Sequence, residues 1–268
     1  MKRCWLELKK EGGLGQLDGS DTPGLSGDRE HAERETEALR VKLIELQRRL
    51  FAENKQSLLI VLQAMDTGGK DSTIRRVFSG VNPNGVRIAR FQAPTEEERA
   101  HDYLWRVHQK TPRHGEIKIF NRSHYEDVLV VRVNDLVPAN VWKKRFDHIN
   151  NFEQLLADEG TRIVKFYLHI NKDEQRERLQ ARLDDPAKYW KFDEHDIEQR
   201  KHWDAYMEAF EDVIRKTSKD HAPWYIIPAN RKWFRDHAIM RILVDTLEQM
   251  NPQYPPAEGF DPSTIDFE

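Results

Sequence analysis

The segment SLLIVLQ, residues 57–63, is a nearly unbroken apolar run, with none of the polar alternation of a half-exposed strand. Such a run suits a parallel strand covered on both faces by helices. The next residues limit the fold further. AMDTGGKDST, residues 64–73, is a glycine-containing turn, and KDSTIRRVFSG then reads as a helix. Strand, tight turn and helix in that order place a ring of backbone N–H groups at the head of a new helix.

The same alternation continues along the chain. VRIARF, EIKIF, RIVKFYLHI and WYIIPA read as four more strands. Between them lie helical segments: TEEERAHDYLWRVHQ, HYEDVLVVRV, a long stretch through NNFEQLLADEG, KDEQRERLQARL, DEHDIEQRKHWDAYMEAFEDVIRKTS and RKWFRDHAIMRILVDTLEQM. Thr95 and Glu98 stand in capping-box spacing. Before the first strand, Leu39, Leu43, Leu46 and Leu50 recur at helical spacing. The pattern predicts an α/β chain with a central, mostly parallel five-stranded sheet and helices on both faces. Residues 28–250 are expected to form one domain. Residues 11–27 carry 6 of the 13 glycines, so 1–27 is expected to be a flexible arm. Proline-rich 251–268 is expected to be an irregular tail.

Composition removes several classes of function. The 268 residues carry 43 basic and 46 acidic side chains, a net charge of -3 that argues against a bulk nucleic-acid binder. One cysteine, Cys4, permits neither an internal disulfide nor a cysteine zinc site, and the 11 histidines show no H-E-x-x-H spacing. No apolar run is long enough for a membrane helix, and the N-terminus has no secretory pattern. A cytoplasmic location is expected.

The turn departs from the usual phosphate-binding P-loop, G-x-x-x-x-G-K-[ST]. Ala64 replaces the first glycine, and Asp71 stands where a magnesium-binding hydroxyl is usual, with Ser72 one residue later. Gly68 and Gly69 permit positive φ and close backbone approach, and Lys70 offers a mobile charge to phosphates. Asp66 would repel a phosphate unless a magnesium ion lay between them, because Mg²⁺ prefers carboxylate and phosphate oxygens. Asp66 is therefore the candidate functional acid. At the exit of EIKIF, Asn121 takes the slot where an aspartate would be the ordinary metal-directed residue. Arg122 beside it could clamp a phosphoryl group. Glu126 and Asp127 come in the next turn. Arg178 and Arg182, four apart, share one helix face, and Lys188 and Lys191 lie beyond the Pro186 break. A basic flap of this kind can close over phosphates and exclude water.

Taken together, AMDTGGKDST, FNRSHYEDV and DEQRERLQARLDDPAKYWKF resemble the polyphosphate kinase 2 family over most of residues 30–250. NRSHYED is more similar to the family's class III than to class I, where an Asp-Arg-Ser version is typical. The resemblance implies a P-loop kinase fold related to that of thymidylate kinase, with a helical lid over about 172–192. It implies Mg²⁺-dependent (or Mn²⁺-dependent) reversible phosphoryl transfer from inorganic polyphosphate to AMP and ADP, of use in ATP regeneration, by a homo-oligomer. Carried over by position, the Walker A-type loop is Ala64 to Ser72, its essential acid Asp66 and its lysine Lys70. Arg122 is the second-motif arginine. Phosphate and nucleotide contacts then fall to Gly68, Gly69, Lys70, Asp71, Ser72, Asn121, Glu126, Arg178, Arg182 and Lys191, and metal binding to Asp66. The rival expectations are an ATP-dependent nucleoside monophosphate kinase of the same fold and a non-catalytic polyphosphate-binding protein.

Overall fold

The computed structural model describes residues 3–257, 259 and 265. Its five strands are β1 (Ser57–Gln63), β2 (Val86–Arg90), β3 (Ile117–Asn121), β4 (Thr161–His169) and β5 (Trp224–Pro228). They form one sheet in the order β2-β3-β1-β4-β5, and every neighbouring pair is parallel. Every residue of β1 is buried, as its unbroken apolar run requires.

The helices are α1 (Arg29–Glu53), α2 (Lys70–Val77), α3 (Glu96–Ala100), α4 (Trp105–His108), α5 (Val130–Val133), α6 (Ala139–Asp158), α7 (Lys172–Leu183), α8 (Glu194–Lys201), α9 (Trp203–Thr217) and α10 (Lys232–Met250). Asp28 caps α1 by accepting from the His31 amide. Leu39, Leu43 and Leu50 of α1 are buried, and the helix lies along α10 rather than on a sheet face of its own. α6 packs on β4 and α9. The Thr95–Glu98 capping box forms as the spacing predicts. Two expected long helices are shorter: the first ends at Ala100 and resumes at Trp105, and the second is interrupted at His202. At the first break, the Leu104 and Trp105 amides turn to the Asp102 side chain, a local bond that competes with helix continuation.

The expectation of a flexible arm over 1–27 needs correction for residues 3–27. Leu14 is wholly buried, and Cys4 and Leu6 join the core. Leu6 pairs antiparallel with Ile226 of β5. The Gly19 amide donates to Asn171 Oδ1 at 2.8 Å, and a side chain at Gly19 would run into Asn230, the His169 carbonyl and Asn171. This glycine serves close approach rather than freedom. The tail expected over 251–268 is irregular where it is described, from 251 to 257; residues 258, 260–264 and 266–268 lie outside the described residues.

The connection leaving β1 runs to β2 and that leaving β3 runs to β4, in opposite directions across the sheet. β1 and β3 are adjacent, so their carboxyl ends open a crevice, the ordinary ligand position in such sheets. Residues 64–69 leave β1 there, and Arg122 leaves β3 there.

Candidate active site

The loop after β1 takes a left-handed backbone at two positions, which its surroundings must hold in place. Thr67 has φ 62 and Gly69, the N-cap of α2, has φ 100. At the end of β3, Arg122 has φ 60. A non-glycine residue in that region costs about 1–3 kcal/mol and persists where its surroundings fix it, often at functional sites. A Cβ on Gly68 would meet Ala64 Cβ and the Met65 carbonyl, so the loop closes tightly on itself there. No side chain caps α2. Its first N–H groups thus have neither an intrahelical acceptor nor a side-chain cap, and they carry the positive end of the helix dipole. An anion is the natural occupant.

Lys70 folds back, its Nζ donating to the Ala64 carbonyl at 2.9 Å. Burial and then the neighbouring Arg122 charge hold its pKa below the usual lysine value, against the pull of Asp66, Glu126 and Asp71. Arg122 Nη2 bonds Asp66 Oδ1 at 2.8 Å, and its Nη1 lies 3.7 Å from Glu126 Oε2. Glu126, first among its neighbours, raises the Arg122 pKa. Burial raises the Glu126 carboxyl, and Arg122 and Lys70 oppose it. The crevice thus holds two cations and two carboxylates, close enough to bias one another.

A buried network fixes the turn carrying Arg122 and Glu126. Lys165 of β4, wholly buried, donates to Glu153 at 2.5 Å, to the Tyr125 hydroxyl at 2.7 Å and to the Thr217 carbonyl at 2.8 Å. Tyr125 in turn donates to Glu153 at 2.8 Å. Burial drives the Lys165 pKa down to about 8 despite Glu153.

Of the other sequence-predicted residues, Asp71 is engaged by side chains of the neighbouring strands. Its Oδ1 accepts from Asn121 at 2.7 Å and from Arg90 at 3.2 Å, tying the head of α2 to the ends of β3 and β2. Asn121 is thereby committed to Asp71. Ser72 Oγ donates back to the Gly69 carbonyl at 2.9 Å. Arg178 Nη1 donates to the Thr67 carbonyl at 3.0 Å and Nη2 to the Ala229 carbonyl at 2.6 Å, so it grips the loop from behind. Arg182 donates to the Lys191 carbonyl at 2.7 Å and to Asp196 at 2.9 Å. Lys191 Nζ sits over the Trp190 ring, 4.8 Å from its centroid.

Three further residues shape the loop without standing out in the sequence. Gln175 donates to the Asp66 carbonyl at 3.1 Å. Its missing charge hides it beside Arg176 and Arg178. Thr67 shows nothing in its residue type of the left-handed backbone it adopts. Arg235 lies wholly buried in α10, where an arginine followed by Asp236 and His237 reads as a surface residue.

Parallel sheet, glycine turn, uncapped helix head and convergent cations define a P-loop kinase-like α/β phosphotransferase. The chain belongs to the polyphosphate kinase 2 family: the profile described as Polyphosphate kinase 2 (PPK2) matches residues 26–255. An AMP/ADP-polyphosphate phosphotransferase of Meiothermus ruber is 58% identical over 245 residues, covering 91% of this chain and 92% of that protein. An ADP-polyphosphate phosphotransferase of Rhodopseudomonas palustris is 43% identical over 226 residues, covering 80% and 78%. The crystal structure of polyphosphate kinase 2 from Arthrobacter aurescens superposes with a TM-score of 0.92 at 41% identity, covering 96% of this chain and 92% of that one.

Proposed function

We propose that this protein transfers phosphoryl groups from inorganic polyphosphate to AMP and ADP, reversibly. The observation that carries this reading is the uncapped head of α2 flanked by Lys70 and by the Arg122–Asp66 pair, in a family member so similar to an AMP/ADP-polyphosphate phosphotransferase. A phosphate oxygen of the nucleotide attacks the terminal phosphorus of polyphosphate. One phosphoanhydride bond forms as another breaks, and the donor leaves one phosphate shorter. The attacking oxygen is already anionic, so positioning and charge neutralisation carry the catalysis. Lys70 exchanges its bond to the Ala64 carbonyl for a phosphate oxygen, the α2 amides hold the phosphate, and Arg122 offsets charge on the transferring group.

The donor set suits Mg²⁺, with Mn²⁺ as the substitute. Among the described residues no group of three or more His, Cys, Asp and Glu side chains converges to hold a metal. Mg²⁺ needs no such cage, since one or two carboxylates plus substrate phosphates and water suffice. Asp66 would supply the carboxylate, its Oδ1 already turned to Arg122. When bound, the ion would shield the phosphates from Asp66 and from each other.

The lid we assign to about 172–192 has two parts. α7 is tied to the loop through Gln175 and Arg178, so the closing motion belongs to the 3-10 turn Pro186–Lys191. Among the described residues no helix is long and apolar enough to cross a membrane. The reading includes a cytoplasmic location, where nucleotides are at hand. It also includes a homo-oligomer, supported by the exposed apolar side chains of Phe51 and Ile88, and sedimentation velocity would test it.

The deciding experiment incubates the protein with polyphosphate, Mg²⁺ and either AMP or ADP and separates the nucleotides formed. ADP and ATP should appear with the wild type and be nearly lost with Asp66→Asn. Turnover with ATP and a nucleoside monophosphate but none with polyphosphate would instead make it an ATP-dependent kinase. Polyphosphate binding without product would make it a binding protein.

A further inference from the structure

Arg235 of α10 is wholly buried, yet a single carboxylate oxygen serves most of its guanidinium. Asp236 Oδ1 accepts from Nε at 2.9 Å and from Nη2 at 2.6 Å. The other Asp236 oxygen, Oδ2, accepts from Arg76 Nη1 at 3.3 Å. One acid therefore stands between two guanidinium groups, and the trio keeps one positive charge in excess. Arg235 Nη1 is buried with no hydrogen-bond partner. That nitrogen lies against Gly69, where a Cβ would collide with it. Gly69 is the N-cap of α2, the residue whose left-handed backbone turns the loop into the helix.

A buried charge with an unused donor is costly, and an Arg235–Asp236–Arg76 trio with one positive charge in excess is not fully compensated. An arginine at this place needs a compensating use. Its location supplies one. It backs the residue at which the helix dipole and the free amides converge, on α10, which packs against α2. In that low-dielectric setting a fixed positive charge acts strongly on an anion seated in the loop, and no water need reorganise when the anion arrives. Arg178 braces the same loop two residues earlier, at the Thr67 carbonyl.

We propose that Arg235 is a positioning residue of the phosphate loop: it braces Gly69 from behind and adds a buried positive charge to the head of α2, raising affinity for the phosphate seated there. The inference rests on the phosphotransferase reading above. It does not require Arg235 to touch the ligand.

The test uses the full-length protein and tripolyphosphate as the probe. Binding is measured by titration calorimetry for wild type, Arg235→Met and Arg235→Lys, alongside melting temperature and steady-state kinetics. Arg235→Met should melt lower than wild type, because Asp236 Oδ1 loses both of its donors, so affinity is read on folded protein well below its melting temperature. Its tripolyphosphate affinity should fall by at least about tenfold, with KM for polyphosphate rising at least as much and kcat changing less. Arg235→Lys should recover part of the affinity. Gly69→Ala should cost less in the Arg235→Met background than alone, because the colliding guanidinium is gone. Wild-type affinity in Arg235→Met overturns the proposal. So does a loss of affinity in both variants with no recovery by lysine, which marks a merely structural role. If Arg235→Met does not fold, wild-type affinity in Arg235→Ala or an additive Gly69→Ala, Arg235→Lys pair overturns it equally. If wild type itself fails to bind tripolyphosphate, the phosphotransferase reading falls and this proposal with it, a result distinct from a variant-only failure.

Discussion

Two sets of cations, one at the phosphate loop and one on the Pro186–Lys191 turn, are held in opposite ways. Lys70, Arg178 and Arg235 lie behind or within the loop, bonded to the Ala64 and Thr67 carbonyls and to Asp236. Lys188 and Lys191 stand on the Pro186–Lys191 turn, one paired with Asp185 at 2.8 Å, the other resting on the exposed Trp190 ring. An exposed ion pair of the Lys188 kind stabilises little and is easily exchanged. Arg178 and Arg235 are arranged before ligand arrives, which is the condition for electrostatic stabilisation without reorganisation, while Lys70 has only to exchange one carbonyl for a phosphate oxygen. In the proposed lid the outer set would leave its partners and travel with the ligand. Arg182, on the same helix as Arg178, pins the Lys191 carbonyl and pairs with Asp196.

That contrast predicts a gradient of effects. The largest belongs to Lys70→Met, which removes the mobile inner charge and should lower the rate of ATP formation from ADP and polyphosphate by roughly a thousandfold. A loss under tenfold would place the inner set outside the chemistry. Gly69→Ala comes next. It forces a Cβ into a left-handed residue and against Arg235, and the rate should fall about a hundredfold, with about 1–3 kcal/mol of stability lost in urea unfolding. Lys191→Ala should raise KM for polyphosphate by no more than about tenfold and leave kcat close to wild type, as expected of a capture group. An effect as large as that of Lys70 would erase the distinction between the two sets.

The smallest effect concerns Glu126 and pH. Burial raises its carboxyl above the ordinary glutamate value of 4.5. A raised folded-state pKa means that its contribution to stability is complete below the unfolded value and is lost as pH rises through the folded one. Ionised Glu126 is therefore a cost to the fold at neutral pH. Glu126→Gln should melt higher by roughly one to two degrees at pH 7. The difference should vanish as pH falls toward the ordinary glutamate range, while phosphoryl transfer weakens because Arg122 loses a partner. Calorimetric melts from about pH 4 to about pH 8, spanning both ionisation states, check the slope.

Much of the fold was legible because parallel strands must be buried on both faces, and SLLIVLQ, EIKIF and RIVKFYLHI show it in composition alone. The crevice was legible for a related reason: glycines and a lysine at a strand-to-helix turn are a local pattern. The remainder depends on distant partners. The Arg178–Arg182 spacing does put both on one helix face, but nothing local says that one reaches the Thr67 carbonyl and the other Asp196. Asp71 reads only as an acid in the place of the usual hydroxyl because Asn121 and Arg90, its partners, arrive from other strands. Residues 3–27 read as free because their partners, among them Ile226, Asn171 and Asn230, come from the far half of the chain.

The antiparallel pairing of Leu6 with Ile226 also bears on how the molecule keeps to itself. β5 ends the sheet, and an uncovered outer strand is a template onto which another chain can add. The amino-terminal segment occupies part of that rim with its own backbone, the Leu6 amide donating to the Ile226 carbonyl at 2.8 Å. Trimming the chain to the family-matched core would leave β5 bare, so a shortened protein should be more prone to self-association and precipitation even where its catalytic crevice is intact.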